Sequence, residues 1–187
     1  MMDAFSYLSV LISIILGLAI AQVLQGYRAI LIADGRVRLH APSLIWSVIL
    51  LLFATQAWWA SFSLREHAQW DFVTFGLILL QMVLLYMMAG IVLPEIGETG
   101  AADLGAHFAR QRHAFFGFLA GMLVTSIVKD IVVNHSIPGA VDLAFRGMGI
   151  GIAVIGWIAR NERAQLIIAI VTAIAFVGYI GTLFTHL

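Results

Sequence analysis

The chain has 187 residues, a formal net charge of zero, 62% hydrophobic and 11% charged residues, and a mean hydropathy of +1.02; soluble domains carry about 25% charged residues. That balance places the chain in a lipid bilayer, and zero net charge offers no bulk attraction to nucleic acid or to an acidic partner. With no cysteine, disulfides, thiolate metal sites, iron–sulfur clusters and a cysteine nucleophile are excluded.

Lipid leaves no free backbone group satisfied, so spans are helices or a closed barrel. Runs such as LSVLISIILGLAIA lack the apolar–polar alternation of a barrel. Apolar run length, punctuated by Gly, Pro and charge clusters, predicts an all-α integral membrane protein: a single domain over 1–187 with six transmembrane helices and short loops, at roughly 4–31, 42–63, 71–93, 112–134, 139–159 and 163–185. The opening MMDAF has an acid where a signal peptide is basic, and the apolar run after it is too long for an h-region. The first segment is therefore read as a retained helix. Between the third and fourth spans, AADLGAHFARQRH reads as a solvated helix end or, as the alternative, continues into helix four as an amphipathic lead-in, with Asp103 near its start and Arg110, Arg112 and His113 at the interface.

Lys and Arg accumulate in cytoplasmic loops. Loops one, three and five hold Arg36, Arg38, Arg110, Arg112, Arg160 and Arg163, against Arg65 alone in loops two and four. Both termini are thus expected on the extracytoplasmic side. Trp58, Trp59 and Trp70 then fall toward the outer interface, and Trp46 and Trp157 toward the inner. Three spans on each side of VLPE would also suit an inverted repeat, but HAPSLIWSVILLL and HSIPGAVDLAFRGMGI share little beyond a His, a nearby Pro and an apolar run.

Charges inside spans are costly, by about 2.5–3.5 kcal/mol on insertion scales, and face protein or water. Here they gather in helices four and five, as Lys129, Asp130, Asp142 and Arg146. Helical side chains lean toward the helix N-terminus. Arg146 therefore leans outward, where it snorkels easily, while Lys129 leans toward the membrane centre. Asp142 and Arg146 share a face at i, i+4, whereas Lys129 and Asp130 point about 100° apart. Cross-helix pairs Asp130–Arg146 and Lys129–Asp142 are expected, either as a structural clamp or as a binding site for a solute, ion or proton. Gly117, Gly121 and Thr125 step toward Lys129, Gly147 and Gly151 repeat the spacing in helix five, and Asp142, Arg146, Gly149, Ala153 and Gly156 form a stripe, all suited to close packing.

In helix six, Thr172, Ala175, Tyr179, Thr182 and His186 share one face. Gln22, Gln56 and Gln81 lie inside helices one, two and three, and Gln56, at the depth of the charge cluster and near Trp58 and Trp59, is the most site-like. Asp3, Ser6 and Tyr7 begin helix one on that side. All six histidines fall near span ends, which argues against haem within the bundle. His107 and His113 with Glu95 or Glu98 lack the spacing of a metal site. No P-loop, His-Glu-x-x-His, Gly-x-Ser-x-Gly or potassium-filter motif occurs.

The expected function is a channel or transporter for an ion or small polar, anionic solute, with Lys129, Asp130, Asp142, Arg146, Gln56 and Tyr179 as binding residues and no catalytic residue, metal or cofactor. The alternative is an accessory or scaffold subunit whose charges lock helices four and five while other faces bind partner spans. An enzyme ranks third, since no nucleophile and base are recognisable. Expected partners are the lipid bilayer of a plasma (inner) membrane, further copies in a homo-oligomer, and a second membrane protein, without nucleic acid.

Overall fold

The computed structural model describes residues 4–33, 36–61, 71–96, 101–134 and 139–183, and within these all side chains except those of 4–7, 133, 134 and 183. Arg65, His67, Trp70, Glu98, His135, His186, Asp3 and the side chains of Ser6 and Tyr7 lie outside the described residues. Six helices dominate: α1 (Ala4–Ile32), α2 (Ala41–Ser61), α3 (Phe72–Val92), α4 (Leu104–Asn134), α5 (Ala140–Ile158) and α6 (Glu162–Leu183). All six are long and apolar enough to cross a membrane. Val48, Leu80, Val124, Ile155 and Ile174 are among the large apolar side chains left exposed on them, as expected where lipid is the solvent.

Local chemistry starts the helices. Asp71 Oδ1 accepts from the Thr74 amide at 2.6 Å, Asp103 Oδ1 from Ala106 at 2.8 Å, and Asn161 Oδ1 from Arg163 at 3.0 Å, each answering an amide that the first turn leaves open. The helix ends lie within two residues of the expected ones, apart from the start of α4. There the stretch expected as a solvated helix end is continuous helix from Leu104, and Leu104, Phe108 and Arg112, spaced by four, are all buried. Arg112, expected at the interface, has its side chain buried against the bundle. The same end holds a parallel pair of two-residue strands, β1 (Val37–Arg38) and β2 (Ala102–Asp103), in register Val37 to Ala102 and Arg38 to Asp103.

The helices pack in a ring, in the order α1, α2, α6, α5, α4, α3 and back to α1, with α2 also reaching α3 and α4. Exchanging the two halves would map the α1–α3 contact onto α4–α6, a pair that does not pack extensively among the described residues. The neighbours therefore give an inverted repeat no support. Glycines set the α4–α5 approach: a Cβ on Gly149 would lie 2.9 Å from Leu123, one on Gly117 2.9 Å from Trp157, and one on Gly156 would run into the Phe116 ring. Gly147 and Gly151, expected to serve close packing, have nothing within 4 Å of a would-be Cβ and face outward.

In the half of the bundle that carries β1 and β2, Trp46, Phe108, Phe115 and Phe116 are fully buried. Trp46 meets Phe115 and Phe116 edge-on at centroid distances of 5.1 and 5.6 Å, Phe108 lies 5.5 Å from Phe115, and Phe115 lies 5.3 Å from Phe116. Such tilted pairs suit the ring quadrupoles. Trp46 therefore belongs to an interior aromatic layer, not to an interfacial belt. Trp58, Trp59 and Trp157 are exposed.

Candidate functional site

At the opposite end, where α2, α4 and α6 finish and α3 and α5 begin, the helices part around a cavity of about 530 Å³. Every helix contributes to its wall, from Ile12 on α1 to Tyr179 on α6. The floor is apolar, with Leu85, Leu119, Met122 and Phe176, and the upper wall is polar, with Gln56, Ser61, Lys129, Asp130, Arg146 and Tyr179. Along α4 the lining runs from Leu119 to Asp130, roughly 16 Å at 1.5 Å per residue.

Arg146 anchors the polar wall. Its Nε donates to Asp142 Oδ1 at 3.0 Å and its Nη2 meets Asp142 Oδ2 at 2.5 Å, a side-on fork that matches guanidinium to carboxylate. Its Nη1 reaches across to α4, lying 2.6 Å from Asp130 Oδ2 and donating to the Ser126 carbonyl at 3.1 Å. From α6, the Tyr179 hydroxyl donates to Asp142 Oδ1 at 3.0 Å. One guanidinium thus ties three helices together, and its side chain is only 12% exposed. Arg146 leans toward the start of α5, as expected, but ends on carboxylates instead of snorkelling.

The expected pair Asp130–Arg146 forms; the expected pair Lys129–Asp142 does not. Both oxygens of Asp142 are already engaged by Arg146 and Tyr179. Lys129 instead curls its four-carbon stem to Asp130, with Nζ 3.4 Å from Oδ1, across the angle that separates their Cβ directions. An ammonium has three donors, and Asp130 is the one partner of Lys129 among the described residues. Five of the six expected binding residues, Gln56, Lys129, Asp130, Arg146 and Tyr179, line the cavity, and Asp142 stands behind them holding Arg146 and Tyr179.

Gln81, which sequence reasoning named beside Gln22 and Gln56 but ranked below Gln56, also lines this cavity, and its buried Oε1 accepts no hydrogen bond among the described residues. Its polarity in the apolar run of α3 was the available signal. Gln22 stays outside the cavity. On α6, Thr172, Ala175 and Tyr179 of the expected polar face line it, Thr182 is exposed, and His186 lies outside the described residues.

A second cavity, of about 330 Å³, opens at the end that carries β1 and β2, and includes Arg38, His40, Asp103, Arg112, Glu162 and Gln165 in its lining. Sequence reasoning used the arginines at this end only to orient the chain. They converge because β1 pairs with β2 and because α2, α4 and α6 all start here. The Asp103 carboxyl is held below its usual range by the Ala106 amide it caps, with Arg38 3.4 Å away adding to the effect. His40 is buried, its Nδ1 2.8 Å from Ser43 Oγ and its Nε2 3.8 Å from Glu162 Oε1. Loss of solvation pulls its pKa below the ordinary 6.5, against the opposing pull of the Glu162 and Asp103 carboxylates.

On α4 the linings of the two cavities stop at Leu119 and Arg112, seven residues or roughly 10 Å apart, and Phe115 and Phe116 fill the layer between them. Comparison with protein-family models, with curated proteins and with solved structures found no match for the chain.

Proposed function

We propose that the protein is a small membrane transporter for a small polar, anionic solute, seen with its binding cavity accessible from the end where α4 turns into α5. The observation that carries this reading is the partly engaged ammonium of Lys129 on the wall of the 530 Å³ cavity. Pockets of about 300–1,000 Å³ with an apolar lining and a few polar groups are the usual shape of a ligand site. Lys129 supplies the positive charge, Gln56 and Gln81 offer amide groups, and the Arg146 network keeps the wall in place. Two cavities facing opposite ends across one aromatic layer suit alternating access better than an open pore. In this reading the arginine-rich end is cytoplasmic, both termini are extracytoplasmic, the membrane is a plasma (inner) membrane, and further copies of the chain associate through the uncovered Gly147 and Gly151 face of α5.

Efflux of labelled chloride, acetate, succinate and phosphate from proteoliposomes tests this. Lys129→Met is expected to lower efflux of the transported anion at least tenfold while leaving thermal stability within about 1 kcal/mol, as for a weakly paired charge. Arg146→Met is expected to cost about 3–5 kcal/mol, because Asp130 and Asp142 lose their counter-charge. Efflux of all four anions at the rate of empty liposomes would remove the transport reading. That result, with the same stability pattern, would favour a second reading based on the closed Arg146–Asp142–Asp130 network: an accessory subunit whose charges clamp α4, α5 and α6.

A further inference from the structure

From the second cavity, at the β1–β2 end, we infer an oxyanion-binding site centred on Arg112, separate from the Lys129 cavity and independent of the transport reading. Arg112 is 7% exposed, and no carboxylate among the described residues lies within ion-pair distance of it. Among the described residues its single side-chain hydrogen bond runs from Nη2 to the ring nitrogen of the adjacent His113, at 3.3 Å, and its buried Nε has no partner. A guanidinium carries five donors in a planar fork, so most of its binding capacity is open, and a buried cation without a counter-charge is unfavourable.

The other charges do not supply that counter-charge. Three arginines, Arg38, Arg112 and Arg160, line the cavity against Asp103 and Glu162. Asp103 is taken by Arg38 at 3.4 Å, and Glu162, which is 79% exposed, lies beside His40. Arg160 is exposed and makes no ion pair among the described residues. Arg112 stands on the wall of this cavity, and α2, α4 and α6 begin here with the positive ends of their dipoles, while α1, α3 and α5 finish at the same end. Gln165, whose Nε2 is held by the Gly156 and Ala159 carbonyls, keeps a buried Oε1 without a partner among the described residues on the same wall, an acceptor for a hydroxyl on the ligand. Planar forks favour tetrahedral or planar oxyanions over halides. The ligand class is therefore a phosphate-type oxyanion, arriving either as free phosphate or as the headgroup of an anionic phospholipid.

The full chain, delipidated in neutral detergent, is melted with inorganic phosphate or with short-chain dihexanoyl phosphatidylglycerol, with sodium chloride at equal ionic strength as reference. A saturable rise in Tm over chloride is expected. A response to phosphate identifies the free ion, and a response to the lipid alone identifies the headgroup. Arg112→Lys keeps the charge but loses the fork and is expected to abolish the rise; Arg160→Gln, at an exposed position, is expected to weaken binding about tenfold, the worth of one charge-assisted hydrogen bond. Lys129→Met, in the other cavity, is expected to leave the rise unchanged. The site is overturned if neither probe raises Tm over chloride, if Lys129→Met removes the rise, if Arg160→Gln leaves the half-saturating concentration unchanged, or if the rise persists in Arg112→Lys protein that folds.

Discussion

Arg146 and Lys129 are both cations near one end of the bundle, and the difference between them is the number of partners each holds. Arg146 is saturated by two carboxylates and a carbonyl, while Lys129 holds one carboxylate oxygen at 3.4 Å. Saturation makes the first a structural group, while the second keeps donors without a partner among the described residues, and those donors are what the transport reading uses. His40 shows the same dependence on surroundings at the other end. Burial holds its pKa below 6.5, so the folded state favours the neutral ring and the unfolded chain takes up the proton first as pH falls. Its contribution to stability is present above about pH 6.5 and is lost as pH drops through the folded-state value. Wild type is therefore expected to lose more Tm than His40→Gln between pH 8 and pH 5; equal losses in thermal unfolding would show that another group governs the acid side. At this scale the sequence was legible where chemistry is local. Asp142 and Arg146 share a face by spacing alone, and Asp130–Arg146 follows from two antiparallel neighbours. Lys129–Asp142 failed because Tyr179, from a helix 37 positions away in sequence, helps fill Asp142, and no periodicity announces that.

Among the elements, α4 and α5 approach through Gly117, Gly149 and Gly156, which the sequence offered together with Gly147 and Gly151, and only the packing separates the two sets. Gly147 and Gly151 have the more recognisable spacing, yet Gly149 and Gly156 make the close contacts, with Leu123 and Phe116. A stripe read from sequence gives a face but not the neighbour that it meets. Gly156→Ala is expected to destabilise by about 1–3 kcal/mol, since its Cβ meets the Phe116 ring and Phe116 is backed by Trp46. Gly151→Ala, in open space, is expected to leave the melting temperature unchanged or slightly higher. Thermal unfolding in detergent compares the two, and equal effects would mean that this close approach is absent. Span length was readable because lipid demands about 20 apolar residues; the early start of α4 was readable only as the lead-in alternative, because Arg110, Arg112 and His113 favour a solvated end until Leu104, Phe108 and Arg112 are seen to be buried on one face.

For the whole molecule, the six-helix parity puts the mouth of the Lys129 cavity and the arginine-rich cavity at opposite ends. The chain has no cysteine, so single cysteines can be introduced without background. Gln56→Cys and Arg160→Cys are expected to react with a membrane-impermeant maleimide from opposite sides; on the proposed orientation Gln56→Cys reacts in intact cells and Arg160→Cys only after the membrane is opened. Labelling of both from one side would contradict the even alternation of the helices. Helix number and the end that gathers positive charge were legible because hydrophobicity and charge act residue by residue. The ring order was not, because six amphiphilic cylinders close into a ring in many orders, and side-chain fit decides between them.

The aromatic layer between Arg112 and Leu119 also has an electrical meaning. Where water fills both cavities, the low-dielectric barrier shrinks from about 30 Å of hydrocarbon to roughly 10 Å along α4, and the membrane voltage falls across that slab. A charge carried past Phe115 and Phe116 would therefore feel nearly the full potential, about 2.3 kcal/mol per 100 mV for each elementary charge. Lys129, ten residues beyond Leu119 on α4, would stand almost outside the field.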